Sequence, residues 1–156
     1  MNENTILGIS PGTRFIGLAV LDDGILRHWQ VRSFTGVWSD EKLRSILGLI
    51  DDILYRYGVN QVCVKVPDVL PLTKGFHQLV GAINVLCENN AIRPRYYSLS
   101  EIKKHHCRSD EQTRDMLIKT MVQLYPDLAL EYRREMRNRN AYYYKLFEAV
   151  AVAKMD

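Results

Sequence analysis

Ile6-Leu7-Gly8-Ile9-Ser10-Pro11-Gly12-Thr13-Arg14-Phe15-Ile16-Gly17-Leu18-Ala19-Val20 decides the fold of this chain. Two apolar runs flank a Pro-Gly pair, so the stretch reads as a strand, a tight turn and a returning strand. The strands are expected over residues 5–10 and 14–21. Just beyond them, Asp22-Asp23-Gly24 is a hairpin signal, and a third strand is expected at about 25–34. The chain therefore opens as an antiparallel meander.

Further along, the period changes. Leu43, Ile46, Leu47, Ile50, Ile53, Leu54 and Tyr57 recur at helical spacing, which predicts a helix over about 40–57. Ser39 caps it, Trp38 is placed to staple onto Leu43, and Gly58 stops it. Val62-Cys63-Val64-Lys65-Val66 is an apolar strand of the kind that sits centrally, covered on both faces. Its lysine is out of place unless it emerges at the strand's C-terminal edge, and Pro67 ends the run. A helix at about 75–89 comes next, with small Gly81 and Ala82 facing a neighbour. Tyr96-Tyr97-Ser98 reads as the last strand, and Leu99 to His106 as a short helical turn. Ser109-Asp110-Glu111-Gln112 reads as a capping box for a helix reaching about Tyr125, which Pro126 interrupts. A final helix is expected from near Asn140 to Met155. The order implies an α/β domain with a mixed five-stranded sheet, three strands in an antiparallel meander and two parallel, and helices on both faces.

Composition sets the class. A chain of 156 residues suits one domain with a single core, here residues 1–156. Apolar residues at 47% and charged residues at 25% are ordinary for a globular protein. No apolar run approaches the roughly 20 residues needed to cross a bilayer. The start, Met1-Asn2-Glu3-Asn4, lacks the basic and apolar regions of a signal peptide, so a cytoplasmic location is expected. Cys63, Cys87 and Cys107 are widely spaced and form neither a zinc pattern nor a disulfide framework. The net charge of +3 is unevenly spread. Lys103, Lys104, His105, His106 and Arg108 form one basic cluster, and Arg133, Arg134, Arg137 and Arg139 another. Such clusters either track phosphates or simply solvate helix faces.

Three motifs, in order, resemble the RuvC-type Holliday-junction resolvases of the ribonuclease-H-like superfamily. The first is Gly8-Ile9-Ser10-Pro11-Gly12-Thr13-Arg14 with Gly17. The second is the Val64-Lys65 strand end, followed by the helix carrying Leu79-Val80-Gly81-Ala82. The third is Phe147-Glu148-Ala149-Val150-Ala151-Val152-Ala153 in the last helix, similar to that family's closing Asp-Ala-x-Ala-x-Ala pattern. The resemblance spans nearly the whole chain. It implies a ribonuclease-H-like fold and a site where acidic side chains from the first strand, the fourth strand and the last helix hold two Mg²⁺ ions about 4 Å apart for phosphodiester cleavage.

Carried over residue by residue, those positions are Ser10, Lys65, Lys145 and Glu148, and only Glu148 is a carboxylate. Mg²⁺ demands oxygen ligands. An ammonium 4 Å from a divalent ion is repelled by several kcal/mol, as an order of magnitude, even at an effective dielectric near 20. Mg²⁺, expected in the family, is therefore not expected to bind here, and no other cofactor is expected. A shifted alignment does not rescue the site. Asp68 lies beyond Pro67 and on the opposite strand parity from Lys65, while Asp22 and Asp23 fit their own turn. Three roles remain open: an ion pair between Lys145 and Glu148 at i,i+3 spacing, a phosphate-binding pocket in which Lys65 and Lys145 replace metal charge, and residual catalysis.

The candidate nucleic-acid contacts are Arg14, Lys74, Phe76, Lys103, Lys104, Arg137 and Arg139. Phe76, beside Lys74, is placed to insert at a junction, as the resemblance implies, or to open the packing of its helix. Tyr142-Tyr143-Tyr144 among arginines suits base stacking, although three consecutive helical residues span about 200° and one must face the core. His105-His106 is a weak metal signal, with no acid or cysteine partner. The helix at 75–89 is a candidate homodimer contact. The expected function is binding of structured or branched nucleic acid, DNA among the possibilities, without metal-dependent cleavage. Alternatives are a protein-interaction module without nucleic-acid affinity, a YqgF-type nuclease relative, and a phosphotransfer enzyme of the actin-like and sugar-kinase group, to which Gly12-Thr13-Arg14 also bears resemblance.

Overall fold

The computed structural model describes residues 4–69, 73–108, 110–138 and 141–155. Three strands open the chain: β1 (Thr5–Ser10), β2 (Phe15–Asp22) and β3 (Ile25–Ser33). Asp23 and Gly24 both take positive φ, 51° and 83°, the conformation that a two-residue hairpin between twisted strands demands. α1 (Asp40–Arg56) is next, its first turn closed by the Ser39 side chain accepting the Lys42 N–H. Gly58 beyond it takes φ +60°. β4 (Gln61–Val66) and α2 (Lys74–Asn89) succeed it, then β5 (Arg95–Ser98) and α3 (Leu99–His106). The chain continues through α4 (Arg114–Leu124), a 3₁₀ turn at Pro126–Leu128, α5 (Ala129–Asn138) and α6 (Ala141–Ala153).

The sheet has the order β3-β2-β1-β4-β5. β1 and β2, and β2 and β3, run antiparallel, while β4 lies parallel to both β1 and β5. This is the mixed architecture expected from the sequence. Strand alternation divides β1 between two cores. Leu7 and Ile9 face α1 and α2 with Ile46, Ile50, Ile53, Leu79 and Ile83. Ile6 faces α6 with Phe147, Val150 and Ala151. α6 comes very close to the sheet because glycines face it. A Cβ on Gly8 would run into the Ala149 carbonyl oxygen, and one on Gly17 into the Lys145 carbonyl oxygen. That contact draws the polar end of α6 over the ends of β1 and β4.

Three expectations need correction. The helix assigned to begin behind Ser109 begins instead at Arg114, where Thr113 accepts the Met116 N–H at 3.1 Å. Ser109 itself lies outside the described residues. A full capping box instead closes α3, between Ser98 and Glu101. α5 was not expected as a separate helix, because Pro126 breaks the apolar period and arginines dilute the segment beyond it. Gly81 faces no neighbour among the described residues: an added Cβ would meet none of them within 4 Å. α2 turns Leu79, Ile83 and Cys87 inward and leaves Val85 exposed. Among the described residues no helix is long and apolar enough to cross a membrane.

Candidate functional site

Side chains at 6, 8 and 10 of β1 share a face, as do 63 and 65 of β4. Ile9 is in register with Val64. Ser10 and Lys65 therefore end adjacent parallel strands and both face α6. Glu148, one turn into the apolar body of α6, meets them there. Ser10 Oγ donates to Glu148 Oε1 at 2.7 Å, and Lys65 Nζ lies 3.2 Å from the same oxygen. All three are buried, with relative exposures of 0% for Ser10, 8% for Lys65 and 2% for Glu148.

Lys145, half-buried one turn earlier on α6, does not pair directly with Glu148. Its Nζ donates to the Pro11 carbonyl at 3.0 Å, in the space that Gly12 leaves by having no side chain. The i,i+3 ion pair is one of three roles the sequence leaves open, and the ion pair Glu148 makes is the longer-range one with Lys65. The reason is geometric: β4 delivers an ammonium into the gap between sheet and helix. Burial, followed by the charge of Lys65, pushes the Lys145 amine down to about 8, against a partial pull upward from Glu148.

A further cation belongs to this cluster. Arg114, the first residue of α4, lies with its guanidinium carbon 3.9 Å from the Tyr144 ring centroid. Its charge also acts on Lys145. Tyr144 is the core member of the tyrosine triplet, and burial, with the charge of Glu148, pushes its hydroxyl up to about 12. Sequence reasoning missed Arg114. An arginine opening a helix carries no signal distinguishing it from a solvated one, and only the crossing of α4 over α6 sets it here.

Neither neighbouring acid fills a vacated position. Asp68 Oδ1 accepts the Ser100 N–H at 3.1 Å, at the start of α3. Burial opposes ionisation of Asp68, but the bonds from Ser100 and Ser98 and the charge of Lys103 hold its carboxyl below the usual range. Asp22 pairs with Arg27 at the opposite end of β2. Among the described residues no group of three or more His, Cys, Asp or Glu side chains is arranged to hold a metal ion.

The other singled-out residues are dispersed. Arg14 is exposed at the β1–β2 turn, 5.3 Å from the Phe15 ring centroid. Lys74 is exposed at the start of α2 and Phe76 half-buried behind it. Lys103 and Lys104 lie in the last turn of α3, where they complement the helix dipole. His106 bonds the Ala151 carbonyl at 2.8 Å, which ties α3 to α6. Arg137 is exposed on α5, and Arg139 lies outside the described residues.

No protein-family model matches the chain, and no curated protein matches it. Solved structures do. The RuvC of T. thermophilus in complex with a Holliday junction substrate superposes with a TM-score of 0.76 at 16% identity, over 97% of this chain and 91% of that one. A second Thermus thermophilus RuvC structure gives 0.68 at 18% identity, over 96% and 90%. At such identities the likeness is one of fold, and the fold is the ribonuclease-H-like one of RuvC.

Proposed function

We propose that this protein binds structured or branched nucleic acid through a cationic cleft, without metal-dependent strand cleavage. One observation carries the reading: the carboxylate of Glu148 is already neutralised by a buried ammonium 3.2 Å away. A Mg²⁺ pair needs several anionic oxygens. The donor set here is one committed carboxylate, a hydroxyl and two amines, which does not fit that ion.

The same set suits a phosphate. Lys65, Lys145 and Arg114 carry three positive charges against the one negative charge of Glu148. Arg114 is exposed and Lys145 half-buried, and on this reading those two cations meet the phosphate oxygen. Glu148 holds Lys65, and Ser10 fixes the carboxylate that does so. Each phosphate neutralised releases counterions, so affinity falls steeply with salt. Support for a branched substrate is the fold likeness to a RuvC that was solved on a Holliday junction. The homodimer through α2 belongs to this reading, with exposed Val85 on its outer face.

The test separates binding from cutting. Purified protein is incubated with a labelled four-way junction in EDTA, Mg²⁺ or Mn²⁺, across a salt series. The expected result is salt-sensitive binding of equal strength with and without metal, and intact strands. Efficient cutting that Glu148→Gln abolishes overturns the reading. Failure to bind any DNA or RNA form at low salt assigns the surface to a protein partner.

A further inference from the structure

Beside the candidate site lies a cleft of about 610 Å³ lined by Thr13, Arg14, Ser33, Phe34, Trp38 and Lys42, among others. That volume falls within the range of about 300–1,000 Å³ usual for small-ligand sites. Its walls are of two kinds. Arg14 and Lys42 supply cations, and Thr13, Ser33 and Thr35 supply hydroxyls, with no acid among the described lining residues. Phe34 and Trp38 add aromatic side chains to the lining.

Trp38 is held in place before any ligand arrives. Its indole Nε1 donates to Gln78 Oε1 at 2.7 Å. Its ring lies against the backbone of Gly75, where an added Cβ would stand 2.9 Å from the indole Cγ. One side of the ring is thus covered by the start of α2, while the residue also lines the cleft. An aromatic fixed in this way loses little entropy when a base stacks on it.

We propose that this cleft takes one unpaired nucleotide of a bound strand, with the base against Trp38 and Phe34 and its phosphate on Arg14 and Lys42. The inference rests on the nucleic-acid reading and extends it. Continuity supports a strand over a free nucleotide. Lys145 is bonded to the Pro11 carbonyl, and the three residues from there to Arg14 span at most about 11 Å. A strand with one phosphate at Lys145 therefore has a neighbouring unit within reach of the cleft. A duplex keeps its bases inside the stack, whereas a base that is mismatched or already single-stranded turns outward at the least cost.

The chain has two tryptophans, Trp29 and Trp38. A Trp29→Phe variant therefore makes indole fluorescence report on Trp38 alone. It is titrated with single-stranded oligothymidylate, with a duplex of equal length and with thymidine 5′-monophosphate, and binding is followed in parallel by mobility shift. The expected result is quenching by the oligothymidylate at the concentrations that shift it, and little quenching by the duplex. Joint Arg14→Ala and Lys42→Ala substitution, on side chains outside both cores, weakens the oligothymidylate by roughly tenfold or more. Thermal melting confirms that this variant is folded. Binding by mobility shift without quenching overturns the cleft and leaves the nucleic-acid reading intact. Absence of binding to these probes overturns the cleft, and absence of binding to a labelled four-way junction as well overturns both. Equal quenching by the duplex overturns the unpaired base, and equal affinity for the monophosphate overturns the strand.

Discussion

The two ends of β1 and β2 each carry an ion pair, and the pairs differ in kind. At the hairpin end Arg27 and Asp22 stand 3.6 Å apart with side chains 53% and 16% exposed. At the turn end Lys65 and Glu148 stand 3.2 Å apart with side chains 10% and 3% exposed. Water screens the first pair, which belongs to the class worth about 0–1 kcal/mol. Two charges removed from water in the second carry a desolvation cost of several kcal/mol each, as an order of magnitude, before attraction repays it. A second cation, Lys145, sits beside that pair and is itself disfavoured by burial. Stability alone does not call for such an arrangement, since apolar residues would fill the space at lower cost. The end that concentrates unfavourable charge is therefore the end to examine for binding.

That contrast breaks most visibly at Glu148. Glu148→Leu leaves Lys65 buried without its partner, and the loss expected is about 3–5 kcal/mol, or roughly 10 °C in Tm for a chain of this size. Lys65→Met on the same background restores most of it. Arg27→Ala at the other end costs less than about 1 kcal/mol. Differential scanning calorimetry of the four proteins measures this, and equal losses at the two ends would contradict the contrast.

Lys145 sharpens it through pH. Its folded value of about 8 lies below the ordinary lysine value of 10.5. Between those values the unfolded chain holds a proton that the fold has released, so stability rises with pH across that window. Phosphate binding runs the other way, because the charged amine is lost as pH climbs through about 8. Junction affinity is expected to fall by up to about tenfold per pH unit above that point. Lys145→Arg, which stays charged, removes both trends. Junction binding measured from pH 7 to 9.5 on the two proteins reads the effect, and a flat profile for the natural chain would count against Lys145 as a phosphate contact.

Much of this was legible from residue order. The alternation in 6–10 and 15–21, the Asp23-Gly24 turn and the helical period of 43–57 rest on local physics, and the structure matches them closely. Lys65 stood out because an apolar strand has no use for an ammonium. Glu148 stood out as the acid in an apolar helix. The features that stayed hidden depend on contacts between distant segments. Arg114 over Tyr144 results from the way α4 crosses α6. Trp38 against Gly75 and Gln78 joins segments nearly forty residues apart, while the sequence pointed only to a local staple with Leu43. Among the three roles open for Lys145 and Glu148, residue order favours none, because it is β4 that sets Lys65 against Glu148. Helical spacing ignores the partner that another strand brings in.

The most direct measurement is a Mn²⁺ titration followed by the electron paramagnetic resonance of the free ion. It compares the natural chain with a variant carrying Ser10→Asp, Lys65→Asp and Lys145→Asp. The account predicts that the natural chain leaves the free-ion signal undiminished, while the acid-restored variant depletes it. Depletion by the natural chain, relieved by Glu148→Gln, would contradict the claim that buried amines here stand where divalent cations would.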